Sequence, residues 1–361
     1  MPLVRHIPLP TFDSLSDQGQ EVLTLSRALK QDIRELHIGL LNMMPDAALR
    51  VTEQQFMRLI GNSNQIAQLY VHPFQIPGLQ REGSAKRYVE QYYETFDKMK
   101  EEGLDALVIT GANPQFPTLD QEPFWEPLQQ VIAWAFENVT SVLCSCLATH
   151  ALVKYLYGIE RQPLAKKKWG VYPHRIAPNG HPLLRGINTR FDVPHSRYNE
   201  VTRAQLEAAE LKILVATPED DIHVATSPDQ FRLVFFQGHP EYDFNSLLKE
   251  YKREVTRFAE GERSDYPPHP ENYFGRAAAA LADAHQVAVL QAKARRQPVP
   301  EFPEAAIAHH LDNTWGDTGK ALFNNWLGLV YQLTDLDRKT AFCPGIDPDD
   351  PLGMNSLAQK E

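Results

Sequence analysis

The sequence predicts an α/β fold, with a mostly parallel β-sheet and helices on both of its faces. Two observations carry this prediction. Short apolar runs alternate with amphipathic stretches of helical periodicity through the first 158 residues, which is the pattern of consecutive βαβ units. The apolar runs also end in loops with polar or reactive residues, and such loops gather at one edge of a parallel sheet.

The individual elements follow from periodicity and from helix start and stop signals. In the first half, the predicted strands cover 35–43, 66–74, 104–110 and 139–145, and the predicted helices cover 52–62, 86–103, 122–138 and 146–158. Thr52 and Gln55 have the spacing of a capping box, which places the start of the first of these helices at Thr52. In the less regular second half, the predicted strands cover 211–217, 222–227 and 232–237, and the predicted helices cover 245–261, 276–297 and 319–333.

Composition excludes several classes of protein. The chain has 361 residues and a formal net charge of −10, so it offers no basic surface for nucleic acid or an anionic membrane; we interpret the lysines at 166–168 as a solvated loop. No stretch approaches the roughly 18 apolar residues of a membrane-spanning helix. Three cysteines are too few for a disulfide framework. We therefore expect a cytoplasmic enzyme with small-molecule substrates and no nucleic-acid or membrane partner.

Cys146 is the candidate nucleophile. It stands where the predicted strand 139–145 turns into a helix, and a sharp turn of this kind lifts a side chain clear of the sheet. The helix start adds partial positive charge and free N–H groups, which favour a thiolate and an oxyanion. The backbone N–H of Leu147 is therefore the candidate oxyanion donor. Cys144 is expected to pack in the core, and Cys146 could do the same, because most cysteines are small buried hydrophobes.

His239 and Glu241 are the candidate base and its orienting carboxylate. They lie two residues apart in "GHPEYD", after the strand 232–237, so both side chains can project the same way. A histidine held by a carboxylate is the base that a cysteine nucleophile requires. The alternative is an ordinary surface turn. No metal site is expected, because Cys144-x-Cys146 lacks the paired spacing of zinc sites.

A series of motifs, in order, resembles the homoserine O-succinyltransferase family of methionine biosynthesis. The resemblance runs from about residue 36 to 333. It is carried by "LNMMP", "TEQQFMRLIGNS", "ALVITGANP", "GVYPHRI", "HPLLRGI", "PHSRYNEV", "GHPEYD" and "LFNNWLGLVYQLT". The resemblance implies a class I glutamine-amidotransferase-like (flavodoxin-like) fold and acyl transfer to the homoserine hydroxyl through an acyl-cysteine.

The resemblance also assigns roles to individual residues. It places the nucleophile at Cys146, the base at His239 and the carboxylate at Glu241. It implies substrate binding by four residues, which are Lys167, Ser196, Arg197 and Arg253. Arginines near a nucleophile suit a carboxylate or phosphate ligand, because a guanidinium can bind such a group at two points.

The sequence departs from the family pattern in several places. The usual Cys-Trp-Gly-Ala-Gln is "CLATH" here, and the loop near Arg50 is longer and lacks the paired lysines. The position that separates acetyl from succinyl donors is Gln115, which keeps the bulk of the glutamate found in acetyl-specific members but not its charge. We divide the chain into an N-terminal extension (1–34), a catalytic domain (35–275), a helical insertion (276–310), and a C-terminal helix with its tail (311–361).

Together these features predict a homoserine O-acyltransferase that works by a ping-pong reaction. It would use an acyl-CoA co-substrate, with a slight preference for succinyl-CoA over acetyl-CoA, and no bound cofactor. We expect a homodimer. Three alternatives stay open: a serine O-acyltransferase on the same scaffold, a glutaminase, and a non-catalytic binding homologue.

Overall fold

The computed structural model describes residues 3–63, 66–177 and 180–355. Within this part of the chain twelve strands form one sheet, in the order β2-β1-β4-β3-β6-β7-β12-β11-β10-β8-β9, with β5 beside β4. The strands are β1 (Leu3–Arg5), β2 (Val22–Thr24), β3 (Glu35–Leu41), β4 (Gln68–Gln75), β5 (Glu94–Thr95), β6 (Ala106–Ile109), β7 (Ser141–Ser145), β8 (Gln162–Ile176), β9 (Arg190–Glu200), β10 (Lys212–Ala216), β11 (Ile222–Thr226) and β12 (Leu233–Phe236).

Helices cover both faces of the sheet. They are α1 (Thr11–Asp17), α2 (Leu25–Ala28), α3 (Asp46–Ser63), α4 (Gly83–Tyr92), α5 (Phe96–Glu102), α6 (Trp125–Asn138), α7 (Leu147–Tyr157), α8 (Arg203–Ala208), α9 (Ser246–Glu260), α10 (Arg276–Ala294), α11 (Glu304–Ala308) and α12 (Gly316–Leu333). Two single-turn 3₁₀ helices cover Leu119–Gln121 and Pro182–Leu184.

In the parallel half of the sheet, which runs from β2 to β12 in the sheet order, the central strands β4, β3, β6, β7 and β12 are buried on both sides. Alternate residues of β6 enter two different cores: Val108 packs with α3 and α12, whereas Leu107 and Ile109 pack with α6 and α7. Near-continuous apolar strands are what a parallel sheet between two helical layers requires. The predicted α/β fold, a mostly parallel sheet with helices on both faces, is confirmed.

The other half of the sheet is antiparallel, from β12 through β11 and β10 to the long β8–β9 hairpin. The sequence analysis did not predict β8 or β9. The first part of β8 is largely exposed and contains the lysines at 166–168, so it lacks the apolar alternation by which a strand is recognised. The interpretation of these lysines as a loop was wrong, because they lie in a strand.

Two predicted helices need correction. The helix placed at 52–62 begins at Asp46, and Thr52 is a buried residue of its interior rather than its cap. The helix placed at 86–103 is two helices, because the chain becomes extended at Tyr93 and Thr95 caps α5 by accepting the N–H of Lys98. Side-chain periodicity continues across this break, which explains the error.

The expected extension and insertion pack onto the catalytic domain. Residues 1–34 supply β1 and β2 to the sheet edge, and Phe12 and Leu15 enter the core. Helices α10 and α11 pack against α9 through Ala278, Ala282 and Ile307. We keep the four segments as a proposed division of the chain. Among the described residues, no helix combines the length and the apolar character needed to cross a membrane.

Candidate active site

Four neighbouring parallel strands, β3, β6, β7 and β12, end at the same edge of the sheet. Their ends are followed by Met43, Gly111, Cys146 and His239 respectively, each within three residues. Since β7 lies between β6 and β12, the Cys146 side chain has the Gly111 loop on one side and the His239 turn on the other. The sheet topology therefore assembles the site.

Cys146 occupies a tight turn between β7 and α7. Its φ of 52° and ψ of −109° lie in a region that side chains rarely adopt, a local strain typical of active-site residues. The turn is fixed from beneath, because the Cys146 N–H donates to the carbonyl of Phe236 at 2.7 Å and the Thr149 hydroxyl donates to the same carbonyl at 2.8 Å. Cys146 is half-buried, whereas Cys144 is wholly buried in the strand, as expected.

The N–H of Leu147 is available as an oxyanion donor. It is the first N–H of α7, and these groups have no acceptor within their own helix. No acceptor for it occurs in the part of the chain that the structure describes. The Cys146 N–H, in contrast, is already used by Phe236. Gly111 faces the nucleophile: a Cβ added there would lie 3.6 Å from the Cβ of Cys146 and 3.6 Å from the sulfur of Met44.

His239 and Glu241 form a buried pair. The Nδ1 of His239 lies 2.8 Å from Oε1 of Glu241, and the backbone N–H of His239 donates to the carbonyl of Pro194 at 2.9 Å. Tyr242 stacks on the imidazole, with ring centroids 4.3 Å apart and an interplanar angle of 17°. These contacts leave the imidazole little freedom to rotate.

Two charges set the pKa of His239. Burial alone would lower the pKa, but the carboxylate of Glu241 and the sulfur of Cys146, which acts through its charge and as a hydrogen-bond partner, outweigh burial and raise the pKa well above its ordinary value. The structure thus brings the three predicted catalytic residues into one interacting group. An imidazole with a raised pKa beside the sulfur is suited to take and hold a proton.

Two of the predicted substrate-binding residues, Lys167 and Ser196, meet at Glu250. The Lys167 ammonium lies 3.1 Å from Oε2 of Glu250, and the Ser196 hydroxyl donates to the same oxygen at 2.7 Å. The hydroxyl of Tyr242 donates to Oε1 at 2.9 Å. Burial alone would raise the pKa of Glu250, but these three donors outweigh it and lower the pKa, so the carboxylate is ionised.

Glu250 and Tyr242 were not among the predicted site residues. Tyr242 follows Glu241 directly and stacks on the base, so proximity in sequence was a usable signal for it. Glu250 had no such signal, since its partners lie on β8, β9 and the turn after β12. Through Tyr242, Glu250 connects the hairpin residues to the base.

The other two predicted binding residues are not in this cluster. Arg197 is buried, and its guanidinium is used by Asp221, by the carbonyl of Asn199 at 2.9 Å and by the ring of His195 at 3.3 Å. Arg253 lies one turn after Glu250 on α9 with its side chain 60% exposed, and its Nε is 3.3 Å from Glu254. Arg197 thus connects β9 to Asp221, in the turn before β11, and Arg253 faces solvent.

The predicted specificity residue, Gln115, lies in the loop after β6. Its backbone N–H and that of Phe116 donate to Oε1 of the buried Glu122, at 2.6 and 2.7 Å. The loop lines a cavity of about 190 Å³ with Met43, Arg81 and Phe124. Glu122 therefore fixes the backbone at the residue expected to select the acyl group.

Arg161 is a further residue that the sequence analysis did not identify. It is half-buried after α7, and no carboxylate of the described residues lies within ion-pair distance of it. Burial lowers its pKa, although Glu122, Glu160 and Cys146 act electrostatically to raise it. A half-buried guanidinium with no close partner, in the field of the nucleophile, suits an anionic ligand.

The altered "LATH" segment after Cys146 forms a buried contact. His150 replaces the glutamine of the family motif and lies 3.1 Å from the side-chain oxygen of Gln237. Burial lowers the pKa of His150 to about 3, so the ring is neutral and serves packing. The "LATH" sequence therefore changes the buried side chains behind Cys146 and leaves the turn between β7 and α7 intact.

A family model described as "HTS: Homoserine O-succinyltransferase" matches residues 2–336. The chain belongs to this family. Curated relatives named homoserine O-succinyltransferase include those of Methylococcus capsulatus, 58% identical over 98% of this chain and 100% of that protein, and Cardiobacterium hominis, 50% identical over 98% and 99%. The predicted family and the predicted class of enzyme, an acyltransferase, are confirmed.

Solved structures with a similar arrangement include a glutamine amidotransferase from Thermotoga maritima, 10% identical, covering 82% of this chain and 98% of that one with a TM-score of 0.40. Another is the glutaminase domain of a Trypanosoma brucei CTPS, 12% identical, covering 66% and 98% with a TM-score of 0.41. At this level of similarity the two structures carry no information about the fold class or the chemistry of this chain.

Proposed function

We propose that the protein transfers a succinyl group from succinyl-CoA to the hydroxyl of homoserine, in methionine biosynthesis, through a thioester on Cys146. The names of the relatives support the donor and the acceptor. The observation that carries the mechanism is the strained Cys146 turn beside the buried His239–Glu241 pair. No bound cofactor is needed, because both half-reactions use side chains and backbone N–H groups.

In the first half-reaction His239 takes the proton of the Cys146 thiol, and the sulfur attacks the thioester carbon of succinyl-CoA. The N–H of Leu147 stabilises the oxyanion, an interaction worth ~10²–10³-fold in rate for one donor. The carbon–sulfur bond to CoA then breaks. The leaving thiolate takes the proton from His239, which leaves a succinyl-cysteine and a neutral imidazole.

In the second half-reaction His239 accepts the proton of the homoserine hydroxyl, whose oxygen attacks the succinyl-cysteine. Acylation has removed the sulfur charge, one of the two groups that raise the pKa of His239, so the imidazole is now better suited to remain neutral until it acts as a base. Collapse of the intermediate returns the proton to Cys146 and releases the ester. Lys167 and Ser196, held at Glu250, and Arg253 one turn further along α9 are the proposed binding groups for the amino acid.

Two features support a succinyl rather than an acetyl donor. Gln115 carries no charge that would repel the free carboxylate of a succinyl group. Arg161 provides a positive charge within electrostatic reach of Cys146 and of Glu122, which holds the Gln115 loop. The succinyl chain would extend from the sulfur toward this guanidinium.

The deciding experiment crosses succinyl-CoA and acetyl-CoA with homoserine and serine in steady-state assays, with intact-mass detection of the acyl-enzyme. We expect the highest kcat/KM for succinyl-CoA with homoserine. In Arg161→Gln the succinyl reaction should fall ~10-fold or more, as for a lost charged hydrogen bond, while the acetyl reaction is kept. Arg203→Gln, at a partly exposed arginine paired with Glu207, is the matched control.

Other outcomes identify the alternatives. A higher kcat/KM for serine would make serine the acceptor in place of homoserine. The two alcohols differ by one methylene, which is worth only ~1–3 kcal/mol in a pocket. If Arg161→Gln lowers the rate equally with succinyl-CoA and acetyl-CoA, Arg161 does not select the donor. Ammonia release from glutamine would favour a glutaminase, and no acyl adduct with either donor would favour a non-catalytic homologue.

We also propose a cytoplasmic location and a homodimer. All three cysteines are unpaired, which fits a reducing compartment. Light scattering on the purified protein measures the oligomeric state directly, and a monomeric mass at working concentration would reject the dimer.

A further inference from the structure

A second cluster of ionisable side chains lies far along the sheet, where β1, β4 and β5 meet. His6, His72 and Glu94 each offer one ligand atom, and these three atoms lie within 4.8 Å of one another. His6 follows β1, His72 is in the interior of β4, and Glu94 belongs to β5. The acyl-transfer mechanism uses none of the three.

The hydrogen bonds around the cluster determine which ring nitrogens are free. Nδ1 of His6 lies 3.0 Å from the carbonyl of Val4, so this nitrogen carries the proton and Nε2 has the lone pair. That Nε2 is buried and has no hydrogen-bond partner among the described residues. A buried nitrogen without a partner is unfavourable unless something binds to it.

A relay of imidazoles fixes the second ligand. Nε2 of His72 lies 2.9 Å from Nδ1 of His37, whose Nε2 lies 3.3 Å from Glu35. If His72 donates to His37 and His37 donates to Glu35, the lone pair of His72 is on Nδ1. That nitrogen lies 2.6 Å from Oε2 of Glu94. The opposite tautomer satisfies His72 and Glu94 but still leaves His6 without a partner. A cation among the three atoms satisfies all of them.

Lys98 pairs with Oε1 of Glu94 and leaves Oε2, the other carboxylate oxygen, facing the two histidines.

We propose that His6, His72 and Glu94 bind a divalent transition metal ion, zinc in the first instance. Two imidazoles and one carboxylate are a common zinc ligand set. Their outer contacts, Val4 for His6 and His37 for His72, match the hydrogen bonds that orient ligating histidines. Because the ligands come from β4, β5 and the residue after β1, the ion would add a further link between the N-terminal segment and the sheet.

The test measures zinc binding without using activity. A Cys146→Ser variant is used throughout, since the thiol beside His239 would itself bind zinc. After dialysis against a chelator, zinc is added back, bound metal is measured by mass spectrometry, and thermal unfolding is followed with and without zinc. We expect one bound ion per chain and an unfolding temperature several degrees higher with zinc, as ligand linkage requires.

Variants locate the ion. His6→Gln in the same background should lose the bound ion and the thermal shift. His309→Gln with His310→Gln, at an exposed pair of neighbouring histidines, should keep both and controls for adventitious binding. Glu94→Gln, judged folded by circular dichroism, should weaken binding. The proposal is overturned if the parent binds no zinc at micromolar concentration, or if His6→Gln binds as well as the parent.

Discussion

The two halves of the sheet contribute to the site in different ways. The parallel half provides the chemistry: Cys146 and His239 follow adjacent strands, and the Cys146 turn is fixed by the carbonyl of Phe236 at the end of the neighbouring strand. The antiparallel half provides Lys167 and Ser196 on the β8–β9 hairpin, and these side chains connect to the base through Glu250 and Tyr242.

This difference separates reactivity from binding. The nucleophile and its base depend on strand order, on two short turns and on one backbone contact with Pro194, so they should tolerate changes to the side chains of Lys167 and Ser196. The binding cluster depends on one buried carboxylate that three separate segments share. Substitutions in the binding cluster should therefore affect mainly the half-reaction with homoserine, whereas substitutions of the nucleophile or its base should affect both half-reactions.

The largest effect is expected from Cys146→Ala. Without the sulfur no acyl-enzyme forms, and turnover should fall by about 10⁶-fold, the scale seen when a nucleophile is removed. Intact-mass measurement after incubation with succinyl-CoA should show the adduct in the native protein and none in the variant. Cys343→Ala, at a cysteine outside the site, is the control. An undiminished adduct in Cys146→Ala would place the nucleophile elsewhere.

The next effect is expected from Glu241→Gln. This change removes the main charge that raises the pKa of His239, so the imidazole should lose its proton at lower pH. Turnover should fall ~10²–10⁴-fold, the range for disabled general acid–base catalysis. Histidine NMR titration measures the pKa directly. A His239 pKa equal to that of the native protein would mean that the pair does not control the base.

A smaller and selective effect is expected from Glu250→Gln. The amide keeps one hydrogen-bond acceptor but loses the charge opposite Lys167, which is worth roughly 1.5–3 kcal/mol. KM for homoserine should rise about 10–100-fold, while single-turnover acylation by succinyl-CoA stays near the native rate. Glu260→Gln, at the exposed end of the same helix, is the matched control. Equal losses in both half-reactions would contradict the separation of the two halves.

The last prediction concerns stability and includes both halves. Burial lowers the pKa of His150, beside β7, to about 3 and the pKa of His174, on β8, to about 4. Since a histidine in the unfolded chain titrates near 6.5, the unfolded state binds more protons below that pH. The contribution of these two histidines to the free energy of unfolding should therefore be at its maximum above pH 6.5. It should fall as the pH decreases toward 4, by roughly 2–4 kcal/mol per histidine.

Urea unfolding between pH 7.5 and 4.5 measures this fall. His150→Gln, which restores the residue of the family motif, can keep the contact with Gln237 and should make the dependence on pH less steep. A variant with the same slope as the native protein would show that His150 does not contribute to it.

Local signals made the parallel half predictable. The turn at Cys146 and the "HPE" motif each lie within a few residues, directly after an apolar strand, and the structure brings them together as the sequence indicated. The wrong start of α3 had a local cause too, because Thr52 and Gln55 have capping spacing inside a helix whose first turns lie at Asp46.

The antiparallel half depends on distant contacts and was harder to predict. The start of β8 is polar and exposed, so its pairing with β9 left no alternation in the sequence. Glu250 acquires its role from a lysine, a serine and a tyrosine on three other segments. Arg161 stands out because, among the residues that the structure describes, no carboxylate lies within ion-pair distance of it, and such a distance cannot be read from the sequence.

The C-terminal helix α12 covers the turn that carries the base. A Cβ added at Gly319 of this helix would lie 2.9 Å from the carbonyl oxygen of Pro240, and the indole of Trp315 donates to the carbonyl of Tyr242 at 2.8 Å. A ribosome adds these residues long after it has added the nucleophile. The nascent chain therefore carries Cys146 before the helix that packs on the His239 turn has been made.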